Sequence, residues 1–210
     1  MDYLSLFSGA GGGDLAGRLL GWRCRGHVEY NGYCQRVLRA RQDDGHLDEA
    51  PIFGDVGAFI SDGYADRYRG MVDCVVAAPP CQGFSSAGKS LAGDDPRNQW
   101  PATADVLRRV QPRVLVLENV SGLLSGSHGY FGRILGDLAE LGLNARWQVL
   151  SAADVGAPHL RKRLWLVAHS DMGRRQEQRE SEHRDEQSKP GDESDRPCHG
   201  RRWRGPRPEH

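Results

Sequence analysis

The chain has 210 residues, enough for one domain with its own core and a short appendage. Its 28 basic side chains are balanced by 28 acidic ones, so no net positive field marks it for nucleic acid and any such surface must come from local clustering. The five cysteines, Cys24, Cys34, Cys74, Cys81 and Cys198, show no Cys-x-x-Cys pair and no metal-ligand spacing, which excludes a disulfide framework and leaves no metal expected.

In chain order, residues 2–7 read as a strand and 13–20 as a helix, followed by a strand over 25–29 and a helix over 33–41. A buried strand is expected at 73–78 and another at 113–117, with a helix over 103–110 between them. A helix over 130–141 leads to two closing strands, 145–150 and 163–168, joined by a loop too short for a helix. Apolar strands alternating with helices predict an α/β fold, a mostly parallel sheet covered on both faces, with an antiparallel hairpin at one edge.

Composition breaks near residue 169. Residues 169–210 hold ten basic and ten acidic side chains and few large apolar ones, so 1–168 is expected to form the folded domain and 169–210 a charged, disordered tail. Within the tail, Arg201-Arg202-Trp203-Arg204 has the composition to touch phosphate or stack on a base, although a solvated charge run is the favoured reading. No apolar run approaches membrane-spanning length, and Met1-Asp2-Tyr3-Leu4 carries no signal-like pattern. A cytoplasmic protein with no membrane partner is expected.

Phe7-Ser8-Gly9-Ala10-Gly11-Gly12-Gly13 follows the first strand and opens the first helix, where glycines let the backbone turn tightly and approach a ligand. Position 14 is Asp14, so the dinucleotide fingerprint is not met. Glu29 follows Gly9 by twenty residues, the spacing at which nucleotide-binding α/β folds place a ribose-binding acid. Asp55, in Gly54-Asp55-Val56, is placed to accept from an adenine amino group. These residues describe a pocket for an adenosine-containing ligand. The plainer reading of the glycines is a tight strand-to-helix turn.

The stretch Val75-Val76-Ala77-Ala78-Pro79-Pro80-Cys81-Gln82 runs a buried strand into two prolines that cannot extend a ladder. It delivers Cys81 to the C-terminal edge of the sheet, where open α/β folds bind ligands, ahead of a glycine-containing loop with Ser85, Ser86 and Lys89. Leu115-Val116-Leu117-Glu118-Asn119-Val120 brings Glu118 to the same edge, where an apolar, closed setting would keep its carboxyl protonated. A capping or salt-bridging acid is the alternative. Arg161 and Arg163, in His159-Leu160-Arg161-Lys162-Arg163, alternate to one side of an extended segment and could grip phosphate or a base carbonyl; a solvated basic turn is the alternative.

Over residues 3–168 these motifs, in this order, resemble the cytosine-5 DNA methyltransferases. Phe7 to Gly12 is similar to the family's Phe-x-Gly-x-Gly-Gly cofactor motif, Pro80-Cys81-Gln82 to its Pro-Cys-Gln nucleophile motif, and Glu118-Asn119-Val120 to its Glu-Asn-Val motif. Arg161 and Arg163 match the arginines of its Gln-x-Arg-x-Arg block, with His159 in place of glutamine. The resemblance implies a Rossmann-like, S-adenosylmethionine-dependent methyltransferase fold. It also implies a cofactor pocket of Phe7, Gly9, Gly11, Gly12, Glu29, Tyr30, Asp55, Val56 and Pro79, and catalytic groups Cys81, Glu118, Arg161 and Arg163. In the implied chemistry Cys81 thiolate adds to C6 of a flipped-out cytosine, Glu118 holds N3 and the exocyclic amine, and Arg163 contacts O2.

The family's target-recognition region and C-terminal blocks have no counterpart here. The resemblance therefore implies a DNA substrate, a bacterial or phage-encoded source, a setting in restriction-modification, and a second subunit supplying the missing parts. A truncated inactive remnant, a minimal enzyme with weak sequence selectivity, a DNA- or cofactor-binding protein without catalysis, and a tRNA cytosine-5 methyltransferase are the alternatives. A cysteine hydrolase pairing Cys81 with His159 is a further one, but it leaves the glycine turn without a purpose.

Overall fold

The structure is a computed structural model that describes residues 1–80, 98–125 and 129–170. The described residues belong to one compact unit, Met1–Gly173. Among them are seven strands: β1 (Asp2–Leu6), β2 (Arg23–Val28), β3 (Ile52–Phe53), β4 (Cys74–Ala77), β5 (Val114–Val120), β6 (Leu143–Ser151) and β7 (Lys162–Ser170). The α-helices are α1 (Gly12–Leu19), α2 (Gly32–Asp43), α3 (Val56–Ser61), α4 (Tyr64–Arg67), α5 (Trp100–Val110) and α6 (Tyr130–Glu140). No described helix is long and apolar enough to cross a membrane.

Local sequence accounts for the helix starts. The Asn31 side chain accepts hydrogen bonds from the Tyr33 and Cys34 amides and so caps α2, and Asp55 accepts from Ala58 to cap α3. Pro101 sits in the first turn of α5, where its missing N–H leaves no helical bond unmade.

The strands form one sheet in the order β3-β2-β1-β4-β5-β7-β6. The first five are parallel, and β7 runs antiparallel between β5 and β6, which agrees with the expected edge hairpin. One face buries Leu4, Leu6, Val75, Ala77, Leu115, Leu117, Leu164 and Leu166 against apolar side chains of α3, α4, α5 and α6. On the other face Tyr3, Cys24 and Cys74 form a smaller core with Trp22 and Val76, beneath α1. The approach there is close: a Cβ at Gly17 would lie 2.9 Å from the Tyr3 hydroxyl. Beyond β4 this second face carries Val114, Val116, Trp165 and Val167, the last two 40% and 46% exposed.

Three elements went unexpected in the sequence: β3, α3 and α4. In addition, β5 continues through Glu118 to Val120, because its last residues pair with β7. β7 itself reaches Ser170, two residues past the expected limit at 168.

Candidate active site

The parallel strands end level with one another. Leu6 pairs with Val28 and Ala77, Val28 with Phe53, and Ala77 with Leu117, so these five residues form a row across the sheet. The next residue on each strand is Phe7, Glu29, Gly54, Ala78 or Glu118. Two hollows open along this edge, one over β1–β4 and one over β5–β7.

The first hollow, of about 360 Å³, is lined by Phe7, Val28, Tyr30, Gly54, Asp55, Val56, Pro80 and Gln99, a size suited to a small organic ligand. Phe7 has φ 55°, a left-handed conformation that costs a non-glycine residue about 1–2 kcal/mol. Its amide donates to the Val28 carbonyl at 2.7 Å, which helps to hold that turn.

Glu29 is nearly buried, and each of its oxygens accepts a backbone amide at 2.7 Å, Oε2 from Gly9 and Oε1 from Asn31. The carboxylate thus staples the glycine turn to the start of α2. Each oxygen keeps a second lone pair for a ligand. Gly11 has φ 86°, and a Cβ there would meet Leu47 and Leu38 at 3.0 and 3.1 Å, so glycine is required.

Of the residues expected around a cofactor, Phe7, Tyr30, Asp55 and Val56 line this hollow, and Gly9 is tied to it through Glu29. Gly11 and Gly12 instead border a separate cleft with Leu15, Arg41, His46 and Leu47. Pro79 is buried beneath the edge, and its neighbour Pro80 lines the hollow. Val28, Gly54 and Gln99 are lining residues that the sequence did not single out. The first two simply adjoin Glu29 and Asp55, whereas nothing local marked Gln99.

At the second hollow the Arg163 Nε donates to Glu118 Oε1 at 2.9 Å. The pair is diagonal across the β5–β7 ladder, where Glu118 faces Trp165 and Val120 faces Arg163. Leu150, Ser151, Ala152, Val155, Arg161 and Trp165 complete a hollow of about 380 Å³. Arg161 and Arg163 share this hollow, in keeping with their expected alternation. The apolar, closed setting expected for Glu118 is not what surrounds it, because a guanidinium lies against the carboxylate and about a quarter of each side chain is exposed.

Asn119 joins the two strand ends that the motifs emphasise. Its side chain is buried, Nδ2 donates to the Pro79 carbonyl at 3.3 Å, and Oδ1 accepts from Val120 at 2.7 Å. This bond anchors the diproline segment two residues before Cys81 to the end of β5. Cys81 and the loop with Gln82, Ser85, Ser86 and Lys89 lie outside the described residues, as does the Arg201–Arg204 cluster. His159 is exposed in the turn before β7.

The chain is 33% identical over 166 residues to the type II methyltransferase M.NgoMIV of Neisseria gonorrhoeae, covering 79% of this chain and 50% of that protein. It is 32% identical over 183 residues to the type II methyltransferase M.AquIA of a Picosynechococcus strain, covering 79% of this chain and 71% of the relative. Except for M.AquIA, it spans about half the length, or less, of these curated relatives. Among solved structures, the S. pombe Dnmt2 methyltransferase superposes with a TM-score of 0.62 at 21% identity, over 82% of this chain and 50% of the other. That likeness identifies the fold as the Rossmann-like one of the S-adenosylmethionine-dependent methyltransferases. Residues 1–196 match the C-5 cytosine-specific DNA methylase family, and with the relatives' agreement the chain belongs to that family.

Proposed function

We propose that residues 1–168 are the catalytic domain of an enzyme that transfers a methyl group from S-adenosylmethionine to C5 of cytosine in DNA, with Cys81 as the nucleophile. The observation that carries this reading is the Asn119–Pro79 hydrogen bond, which holds the segment leading to Cys81 against the strand that bears Glu118. The Glu118–Arg163 pair stands at that same edge, level with the Phe7 hollow.

The residues of that hollow fit an adenosine-containing cofactor. Phe7 and Tyr30 offer aromatic faces, Asp55 an acceptor at the rim, and Glu29 spare lone pairs for ribose hydroxyls. When bound, S-adenosylmethionine supplies an electrophilic methyl group. The chain's own residues have three tasks. Cys81 thiolate adds to C6 of an extruded cytosine and makes C5 nucleophilic, and once C5 is methylated, loss of its proton breaks the C6–sulfur bond and expels the thiolate. Glu118, in its protonated form, donates to N3 and accepts from the exocyclic amine as charge develops on the ring, and Arg163 contacts O2 and positions the Glu118 side chain. Arg161, in the same hollow, supports the base or its phosphate.

A second polypeptide supplying target recognition belongs to this proposal. Its support is the exposed pair Trp165 and Val167, large apolar side chains together on the outer face of β7. The setting is a cytoplasmic restriction-modification system.

The test is transfer of labelled methyl from S-adenosylmethionine to cytosine-containing DNA and to tRNA, by the chain alone and with a complementary C-terminal half. Transfer to DNA is expected on complementation, and Cys81→Ser should reduce it by roughly 10³-fold or more. Transfer that survives Cys81→Ser rejects the nucleophile, and labelling of tRNA alone rejects the substrate.

A further inference from the structure

We infer that the turn between β6 and β7 carries an apolar wedge, Val155 with Leu160, which enters a DNA duplex and fills the gap left by an extruded base. The inference rests on the proposed action on DNA and names the residues that hold the duplex open for it.

Val155 and Leu160 are 80% and 70% exposed, on a turn whose backbone is firmly braced. The Ser151 amide donates to Asp154 Oδ2 at 2.7 Å and the Asp154 amide to Ser151 Oγ at 3.2 Å, a reciprocal cap on the 3-10 helix Ala152–Val155. Gly156, with φ 91°, ends that helix in a conformation that favours glycine. The Ala157 amide then returns to the Ala152 carbonyl at 3.0 Å, and the Ala152 amide donates to the Arg161 carbonyl at 3.2 Å, closing the base of the turn. Two apolar side chains are thus held in water by a built backbone, where they forgo the gain of burial.

Their surroundings say what they meet. Val155 lines the hollow that also holds Glu118, Arg161 and Arg163, so the wedge stands at the rim of the place proposed for the cytosine. His159, Arg161 and Lys162 are exposed beside it. Asp154 is the sole acid in the segment 152–162, and it spends Oδ2 on the cap. An apolar tip among cations matches a duplex, which presents phosphates outside and stacked bases within. A protein partner would have to bring acids to a rim that DNA meets with a phosphate at every nucleotide. Extruding a base forfeits its stacking, and side chains that occupy the vacancy recover contact and slow its return. Valine suits this task, since its branched side chain has little rotamer freedom to lose.

The test reads binding without methyl transfer. Fluorescence anisotropy of the full chain is measured on a short labelled duplex and on the same duplex with one abasic site, which offers the wedge a ready-made vacancy. The unaltered chain is expected to bind the abasic duplex roughly fivefold or more tightly. Val155→Ser with Leu160→Ser should abolish that preference while leaving affinity for the intact duplex within about twofold, because phosphate contacts set it. Lys162→Ala should do the reverse, weakening both complexes alike. Val155→Ile with Leu160→Met, which keeps the apolar tip, should retain the preference, and unchanged Tm values show that the variants are folded. Equal binding to both duplexes by the unaltered chain, or a preference that survives the serine variant, overturns the wedge and leaves the DNA reading standing. Binding to neither duplex overturns both. If the serine variant binds DNA as the unaltered chain does but no longer associates with a complementary C-terminal half, the tip belongs to a protein interface and the wedge is rejected.

Discussion

The parallel and antiparallel halves of the sheet are built under different rules. In the parallel half, β1 and β4 are buried at nearly every position, because helices pack on both faces. In the hairpin, β7 alternates: Leu164, Leu166 and Ala168 point into the core while Trp165 and Val167 remain exposed. The parallel half shapes the Phe7 hollow from turns that follow its strands, so its ligand-facing residues sit on loops held by a rigid row. The hairpin places Arg163 within a ladder, as a side chain of the sheet itself. One half is thus complete as a folded layer, and the other is finished on a single side.

That contrast can be broken most severely in the parallel half. Leu4→Ala removes a fully buried side chain and should cost about 2–5 kcal/mol, whereas Val167→Thr in the hairpin should stay within about 0.5 kcal/mol. Urea denaturation of the two variants measures the difference directly, and similar losses would mean that the outer hairpin face is covered in solution.

The turn row can be probed next. Glu29→Gln leaves only one side-chain oxygen to serve the Gly9 and Asn31 amides, and should cost about 1–3 kcal/mol. Isothermal titration should then show weaker S-adenosylmethionine binding, since the glycine turn loses its staple. Unchanged stability would remove Glu29 from that role.

The smallest effect is expected at the surface, where Asp2 pairs with Arg25 at 2.7 Å. The Arg25 hydrogen bond holds the Asp2 carboxyl below its ordinary value of 3.8. A carboxyl lowered on folding stabilises above its unfolded value and loses that contribution as pH falls through its folded one. Asp2→Asn should therefore lower Tm slightly at neutral pH and leave it unchanged well below pH 3.8, as paired thermal melts would record.

Much of the architecture was legible because its signals are local. Buried strands such as Val75–Ala77 and Leu115–Leu117 announce themselves by composition, and Pro79-Pro80 marks where β4 must stop. What stayed hidden depends on partners distant in sequence. β3 is two residues long, too short to show a period, and exists because His27 and Val28 offer it an edge. The extension of β5 through Glu118 follows from pairing with β7, forty-five residues on at Arg163, and the same pairing turns an expected apolar setting into an ion pair. The Asn119–Pro79 bond likewise joins residues forty apart, although the Glu-Asn-Val motif had drawn notice to its neighbour.

The place of β7 has a consequence for synthesis on the ribosome. β5 is completed at Val120, yet the strand that covers its outer edge ends at Ser170 and is the last of the described strands to be made. Throughout the translation of the intervening fifty residues a nascent chain displays β5 as an open edge, with its amides and carbonyls available to any other strand. β6 emerges before β7 but cannot dock on β5 in its native position, which β7 must occupy. The fold therefore closes from its C-terminal side inward, and slowed translation before residue 170 prolongs the interval in which neighbouring nascent chains can pair wrongly.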